Sequence, residues 1–304
     1  MSVDIAVVGS LNLDRIYSMA RLPTEGETLH AMGPALSSGG KGANQAVAAA
    51  RLGVRVSLVG SVGDDDAGRR LLHLVSADGV DTAPVRRSTS SSTGEAVIFV
   101  SEAGENLIVI TGGANADLTA GDVRSNCPDA AWVVSGFEVS DECVVEAAKC
   151  AHEIGASFVL NPSPYRTIPE DLIGRVSVMV MNEHELAAAT ADSLEVDLVR
   201  LGESLRLALR AETLIVTLGA RGAAVVTAAG SIHVPAPTVT PVDTSGAGDA
   251  FTGALVARLA AGDDLEHAVT IAVAAGAFAT TRRGTQASYP TVNELDQWSQ
   301  TSAR

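Results

Sequence analysis

Short, largely apolar runs recur along this chain, and helical patterns fill the intervals between them. The runs include residues 5–8, 56–59, 132–134, 158–160, 178–181 and 214–218. Ala-rich segments with apolar residues at three-to-four spacing lie between them, among them 43–52, 144–154 and 201–209. Regular strand–helix alternation specifies an α/β fold with a mostly parallel sheet and helices on both faces. The runs show no in–out alternation, as expected of strands covered on both sides. The stretch 271–279 reads as a buried helix, because it is too short to span a bilayer.

Two stretches interrupt the rhythm. Residues 14–38 have little helical period and carry Pro23, Gly26, Gly33 and Pro34. Residues 93–111 read as a hairpin, with apolar strands at 94–100 and 107–110 and a turn at Gly104-Glu105-Asn106. Together they predict a small separate β-sheet, placed as a lid over the mouth of the main one; an ordinary edge hairpin is the plainer reading. The expected division is one domain over 1–304, with a main core at about 1–12, 39–90 and 114–304 and a lid at about 13–38 and 91–113. Residues 223–226 and 232–234 predict a strand–turn–strand at one edge of the main sheet.

Composition narrows the partners. The net charge of −15 argues against a nucleic acid held through its phosphates. It does not argue against a small phosphorylated ligand, which needs only a few oriented donors. Cys127, Cys143 and Cys150 lack metal-ligand spacing, and so sparse a set suits reduced thiols in the cytoplasm. The N-terminus carries no basic region of the kind a signal peptide has. No HExxH pair or GxSxG elbow is present, so neither a His-held metal nor a hydrolase nucleophile is expected.

Candidate functional residues fall just after the apolar runs. Asn12 and Asp14 follow 5–8, Glu138 follows 132–134, Asn161 follows 158–160, Asn182 and Glu185 follow 178–181, and Gly219 and Gly222 follow 214–218. Open parallel sheets bind ligands at that edge. Each residue also has a plain structural reading: Asn12 and Asp14 as turn formers, Glu138 as a helix N-terminal carboxylate, Asn182 and Glu185 as a cap with a first-turn acid, Lys41 as a solvated charge. Two Gly-rich segments each open an apolar helix. The first, Ser37-Ser38-Gly39-Gly40-Lys41-Gly42-Ala43-Asn44-Gln45, is no Walker loop, since Ala35 and Gly42 stand where that motif needs Gly and Ser or Thr. In the second, Asp243-Thr244-Ser245-Gly246-Ala247-Gly248-Asp249, the amides of Gly246, Ala247 and Gly248 would form an anion hole at a helix N-terminus, with Asp249 beside it as a base. A base next to a cradle for growing negative charge suggests phosphoryl transfer to a hydroxyl.

From about Val3 to Trp298 the chain resembles the ribokinase-like (PfkB) family of carbohydrate kinases. The resemblance rests on Gly9-Ser10-Leu11-Asn12-Leu13-Asp14, on the first Gly-rich segment, on Asn182-Glu183-His184-Glu185, on Thr217-Leu218-Gly219-Ala220-Arg221-Gly222, and on the segment ending at Asp249. It implies a three-layer α/β/α sandwich with a β-sheet lid. It implies sugar binding by Asn12, Asp14, Gly40, Lys41, Asn44 and Glu138, with Asp249 as the base. It implies an ATP site at Asn182, Glu185, Thr217, Gly219, Gly222 and Gly248, with Mg2+ placed through Glu185. Val273 falls near the adenine, where relatives often carry a polar residue. A monovalent cation, K+, is implied at Asp243, Ser245, Ala279, Arg282, Gly284 and Ser288. The sugar-contact set fits a small neutral polyol, with D-ribose phosphorylated at its primary 5-hydroxyl as the expected reaction. Fructokinase, 2-keto-3-deoxygluconate kinase and nucleoside kinase activities, or a sugar-binding regulator without catalysis, are the alternatives. Apolar residues on both faces of the predicted hairpin (Val97, Phe99, Ile108, Ile110) lead to the expectation of a homodimer through the lid.

Overall fold

The computed structural model describes residues 2–103, 105–191 and 197–302. In chain order the strands are β1 (Val3–Val8), β2 (Asn12–Met19), β3 (Met32–Gly39), β4 (Val56–Val59), β5 (Ser61–Gly63), β6 (Val80–Asp81), β7 (Arg86–Ser88), β8 (Gly94–Ser101), β9 (Asn106–Thr111), β10 (Ala130–Gly136), β11 (Ser157–Asn161), β12 (Val178–Asn182), β13 (Thr213–Thr217), β14 (Ala223–Thr227) and β15 (Gly230–Val234). The helices are α1 (Lys41–Arg51), α2 (Asp66–Ala77), α3 (Ala120–Asn126), α4 (Asp141–Ile154), α5 (Glu183–Thr190), α6 (Leu198–Leu209), α7 (Ala247–Ala260), α8 (Leu265–Thr280) and α9 (Val292–Ser302).

Among the described residues the main sheet has nine strands in the order β15-β14-β13-β12-β11-β10-β1-β4-β6. It is parallel from β13 to β6, and only the β13–β14 and β14–β15 pairings are antiparallel, with β14 and β15 the edge pair expected from the sequence. Alternate residues of each strand enter opposite cores. Ile5, Val7, Val134, Val159, Val180 and Ile215 pack with α1, α2, α7, α8 and α9. Ala6, Val8, Val133, Phe158, Leu160, Met179, Met181 and Val216 pack with α3, α4, α5 and α6. Both faces are therefore covered, which is why the strands read as unbroken apolar runs. Cys127, Cys143 and Cys150 are free thiols. No helix among the described residues is long and apolar enough to cross a membrane.

The two irregular stretches build a second sheet, which among the described residues has four strands in the order β3-β2-β8-β9. β8 and β9 pair antiparallel as the predicted hairpin; Gly104 of its turn lies outside the described residues. β2 pairs parallel to β8, which joins the two stretches into one layer.

Parallel pairing sends the C-terminal ends of β1, β10, β11, β12 and β13 to one edge. The chain leaves β1 toward β4 on one side and later returns to β10 on the other, so the sheet order reverses at β1. Glycines then bring α1 and α7 together above that point. A Cβ on Gly42 would lie 2.6 Å from the Gly9 Cα, which sets the start of α1 against the end of β1. A Cβ on Gly253 would lie 2.5 Å from the Gln45 carbonyl oxygen and 2.6 Å from the Ala48 Cβ. This close crossing carries Asn44 and Gln45 alongside the first turn of α7.

Candidate active site

Asp249 occupies the first turn of α7. The helix starts there because Gly246, its N-cap, takes a left-handed φ of 73° that an L side chain rarely adopts, and the Ala250 amide then donates to the Gly246 carbonyl at 2.9 Å. The first-turn amides have no partner within the helix, and Gly248 among them is exposed, so that a Cβ there would meet nothing within 4 Å. Of the expected anion-hole donors, the Ala247 amide is turned back toward the Thr244 carbonyl at 3.3 Å. Asp249 itself is 5% exposed. Its Oδ2 accepts from Asn44 Nδ2 and its Oδ1 from Gln45 Nε2, each at 3.0 Å.

Three carboxylates and one ammonium converge beside this helix start. Burial, then the charges of Glu138 and Asp249, push the Asp14 carboxyl up to about 7. The Asp249 charge, with help from Glu138 and Glu185, holds the Lys41 ammonium above its usual range although burial opposes it. Gly39 lies against the Asp14 carboxylate so closely that a side chain there would displace it. Gly40 has a φ of 88°, and a Cβ on it would sit 2.8 Å from the Asn12 amide nitrogen. Glu138 Oε2 accepts from the Ser10 hydroxyl at 2.6 Å and from the Lys41 amide at 2.9 Å, so this carboxylate also caps the N-terminus of α1. The plain reading of Glu138 as a helix-capping acid is thus part of its role. Asn12 Oδ1 accepts from Asn115 Nδ2 at 2.8 Å.

The other expected residues lie further along the same edge. Asn182 and Glu185 form a reciprocal capping box on α5: the Asn182 amide donates to Glu185 Oε2 and the Glu185 amide to Asn182 Oδ1, each at 2.8 Å. Thr217 ends β13, and Gly219 and Gly222 follow with φ of 57° and 94°. Val273 is packed into the core beside α7, 6% exposed, which leaves it little surface to offer a base. Asp243 ties two loops together, since its Oδ1 accepts from the Ser245 amide and its Oδ2 from the Gly284 amide, each at 2.9 Å. Burial works against that charge, yet the two amides hold the carboxyl below its usual range. The Ala279 carbonyl accepts from the Arg282 amide at 3.2 Å, and the Ser288 hydroxyl is turned onto the Thr285 carbonyl at 2.7 Å. Among the described residues no group of three or more His, Cys, Asp and Glu is placed to hold a metal.

The model for pfkB family carbohydrate kinases matches residues 3–292. The chain belongs to this family. It is 35% identical over 297 residues to the ribokinase of Bacillus subtilis, covering 97% of this chain and 98% of that protein. It is 36% identical over 301 residues to the deoxyribokinase of Salmonella typhi, with 97% and 98% covered. The solved structure of Arabidopsis thaliana ribokinase complexed with ribose and ATP superposes with a TM-score of 0.89 at 29% identity, covering 98% of each chain. Ribokinase from Thermotoga maritima superposes with a TM-score of 0.88 at 31% identity, covering 98% of this chain and 99% of that one.

Several contacts of the site carry no sequence signal of their own. Gln45 stands inside a Gly-rich motif, but nothing in its spacing says that its amide reaches Asp249. Asn161 Oδ1 accepts from Gln45 Nε2 at 2.9 Å, and Asn161 Nδ2 donates to the Val180 carbonyl at 2.8 Å. Gln286 Nε2 donates to Asn44 Oδ1 at 3.0 Å. Asn115 brackets Leu11, just ahead of β2, accepting from its amide at 2.9 Å and donating to its carbonyl at 3.0 Å. Tyr289 is 1% exposed, and its hydroxyl is buried under Gly246 without a hydrogen-bond partner among the described residues.

Proposed function

We propose that this protein is an ATP-dependent sugar kinase that phosphorylates the primary 5-hydroxyl of D-ribose, giving D-ribose 5-phosphate and ADP. The observation that carries the reading is the placement of Asp249: a buried carboxylate in the first turn of α7, held by Asn44 and close enough to Asp14 and Lys41 for its charge to act on both. Family membership supports the reaction class, and the relatives named as ribokinases support the sugar.

In this mechanism Asp14 and Asn44 hold vicinal hydroxyls of the sugar, with Asn12, Gly40, Lys41 and Glu138 lining the same site. Asp249 takes the proton of the 5-hydroxyl as its oxygen attacks the γ-phosphorus of ATP in line, and the bond to the ADP oxygen breaks. The first-turn amides of α7 meet the charge growing on the transferred group; one such donor is worth roughly 3–4 kcal/mol of barrier. Asn182, Thr217, Gly219 and Gly222 hold the nucleotide. Seating of the small sheet over the sugar excludes water that would otherwise receive the phosphoryl group.

The residues present fit both implied cations. Glu185 keeps one carboxylate oxygen outside its capping box, lies close enough to Lys41 for their charges to interact, and would orient the water shell of Mg2+, which neutralises phosphate charge. Asp243 draws the loops at 243–245 and 282–288 together, and their all-oxygen donor set, Asp243, Ser245, Ala279, Arg282, Gly284 and Ser288, suits a hard cation such as K+. Tyr289, whose buried hydroxyl lacks a partner among the described residues, stands next to that loop.

A second copy of the chain completes the reading. The edge strand β9 exposes Leu107, Ile108, Val109 and Ile110 in succession, and Met32 on the opposite edge strand is 76% exposed. An unpaired apolar edge of this kind calls for a cover, and a homodimer through the small sheets supplies it. Sedimentation as a monomer at micromolar concentration counts against the dimer. A cytoplasmic location accompanies the proposal.

The deciding experiment is ATP consumption with a panel of D-ribose, 2-deoxy-D-ribose, fructose, 2-keto-3-deoxygluconate and nucleosides. D-ribose should give the highest kcat/KM. A preference for 2-deoxyribose would assign the chain with its Salmonella typhi relative, and no turnover of any sugar would overturn the kinase reading.

A further inference from the structure

Asp249 is held by two amide side chains that are anchored differently. The Gln45 arm ends in the main sheet: the Val180 carbonyl accepts from Asn161 Nδ2 at 2.8 Å, Asn161 Oδ1 accepts from Gln45 Nε2 at 2.9 Å, and the same NH2 group donates to Asp249 Oδ1 at 3.0 Å. The Asn44 arm ends in the small sheet. The Ser38 hydroxyl, at the end of β3, donates to Gln286 Oε1 at 2.6 Å, Gln286 Nε2 donates to Asn44 Oδ1 at 3.0 Å, and Asn44 Nδ2 donates to Asp249 Oδ2 at 3.0 Å. The Thr285 hydroxyl donates to the Ser38 carbonyl at 3.0 Å, so β3 and the 285–288 loop are fastened twice.

Each amide has one accepting and one donating end, which fixes the sense of the whole chain. With Ser38 donating to its oxygen, Gln286 must present NH2 to Asn44. Asn44 then turns its oxygen to Gln286 and its NH2 to the carboxylate. Without the Ser38 hydroxyl the buried Gln286 oxygen loses its donor, Gln286 is free to turn away, and Asn44 loses the partner that holds its NH2 on the Asp249 carboxylate. Ser38, Gln286, Asn44 and Asp249 are all buried, where an unmade hydrogen bond is costly.

We propose that Gln286 is a positioning residue, and that with Ser38 it relays the seating of the small sheet to the orientation of the base. The claim rests on the reading of Asp249 as the base. The relay makes Asp249 correctly aligned when β3 is docked against the 285–288 loop and misaligned when it is not. Alignment of the base is thereby tied to closure over the sugar.

The test compares the parent enzyme with Ser38→Ala, Ser38→Thr, Gln286→Leu and the Ser38→Ala/Gln286→Leu double variant. Loss of the Ser38 hydroxyl should lower kcat about tenfold, and Ser38→Thr should restore it to within about twofold. Gln286→Leu should lower kcat about a hundredfold, as expected of a misplaced reacting group, with the KM for ATP unchanged. The double variant should be no slower than Gln286→Leu, because both changes break one chain. Multiplicative losses, or a Ser38→Ala kcat equal to that of the parent, overturn the relay. If Gln286→Leu does not fold, the Ser38 pair decides alone. In parallel, side-chain amide exchange of Asn44, followed by 15N NMR, should be at least about tenfold faster in Ser38→Ala. Unchanged exchange overturns the relay whatever the activity. Absence of any sugar turnover in the parent would instead overturn the reading of function.

Discussion

Replacing Asp14 with asparagine removes one ionisable group from a crowd of three carboxylates. The Asp14 carboxyl has an ordinary value of 3.8, which the unfolded chain retains, and in the fold it rises to about 7 through burial and the charges of Glu138 and Asp249. Below pH 3.8 both states carry the proton, and Asp14 costs the protein nothing. As the pH rises the unfolded chain ionises first, and stability is lost progressively until the pH has passed 7. At about 1.36 kcal/mol for each pH unit between the two values, the full loss is roughly 4 kcal/mol, of which roughly 2–3 kcal/mol falls between about pH 5 and pH 8. The amide that replaces the carboxyl does not titrate and has no such dependence. Urea unfolding of parent and Asp14→Asn, followed by circular dichroism from about pH 5 to pH 8, should show the variant's relative stability growing by about 2–3 kcal/mol over that range. A difference that stays constant, or shrinks as the pH rises, refutes the reasoning. Function should move the opposite way. An ionised Asp14 accepts both hydroxyls of a diol, so KM for the sugar should rise about fivefold from about pH 7 to pH 6 in the parent, and the variant should bind sugar poorly at both.

Three further outcomes are expected. Asp249→Ala should cut kcat by about 10²–10⁴-fold while sugar binding by calorimetry weakens far less, and near-normal turnover would remove Asp249 as the base. Replacing potassium with sodium in the assay should lower the rate; equal rates in both salts would retire the cation site at Asp243. Gly246→Ala places a Cβ 2.5 Å from the Tyr289 hydroxyl oxygen at a φ of 73°. It should cost about 1–3 kcal/mol in thermal unfolding, part of which Tyr289→Phe recovers. An unchanged melting temperature for Gly246→Ala would show that the anion-hole loop is not set by that contact.

Much of the architecture is visible in the sequence because its causes are local. The apolar runs at 5–8, 158–160 and 214–218 are strands covered on both faces, and each alternates between the two cores. The Gly-rich turns announce helix starts, since Gly40 and Gly246 take backbone angles that other residues avoid. The edge bias of Asn12, Glu138, Asn182 and Gly219 follows from parallel pairing alone. The capping box of Asn182 and Glu185 is equally readable from a three-residue spacing.

What the sequence determined by itself is therefore the class of fold, the edge at which the candidate residues gather, and the identity of the acid at the start of α7. Tertiary structure alone decided how that acid is held. Asn44 and Gln45 lie more than two hundred residues from Asp249, and they meet it because Gly253 lets α1 and α7 cross closely. The raised Asp14 carboxyl, the capping role of Glu138, and the Ser38–Gln286 link have the same origin. Hydrogen-bond direction, burial and charge repulsion are properties of neighbours in space. A linear pattern can place a residue on an element, but only packing brings the donor to its acceptor.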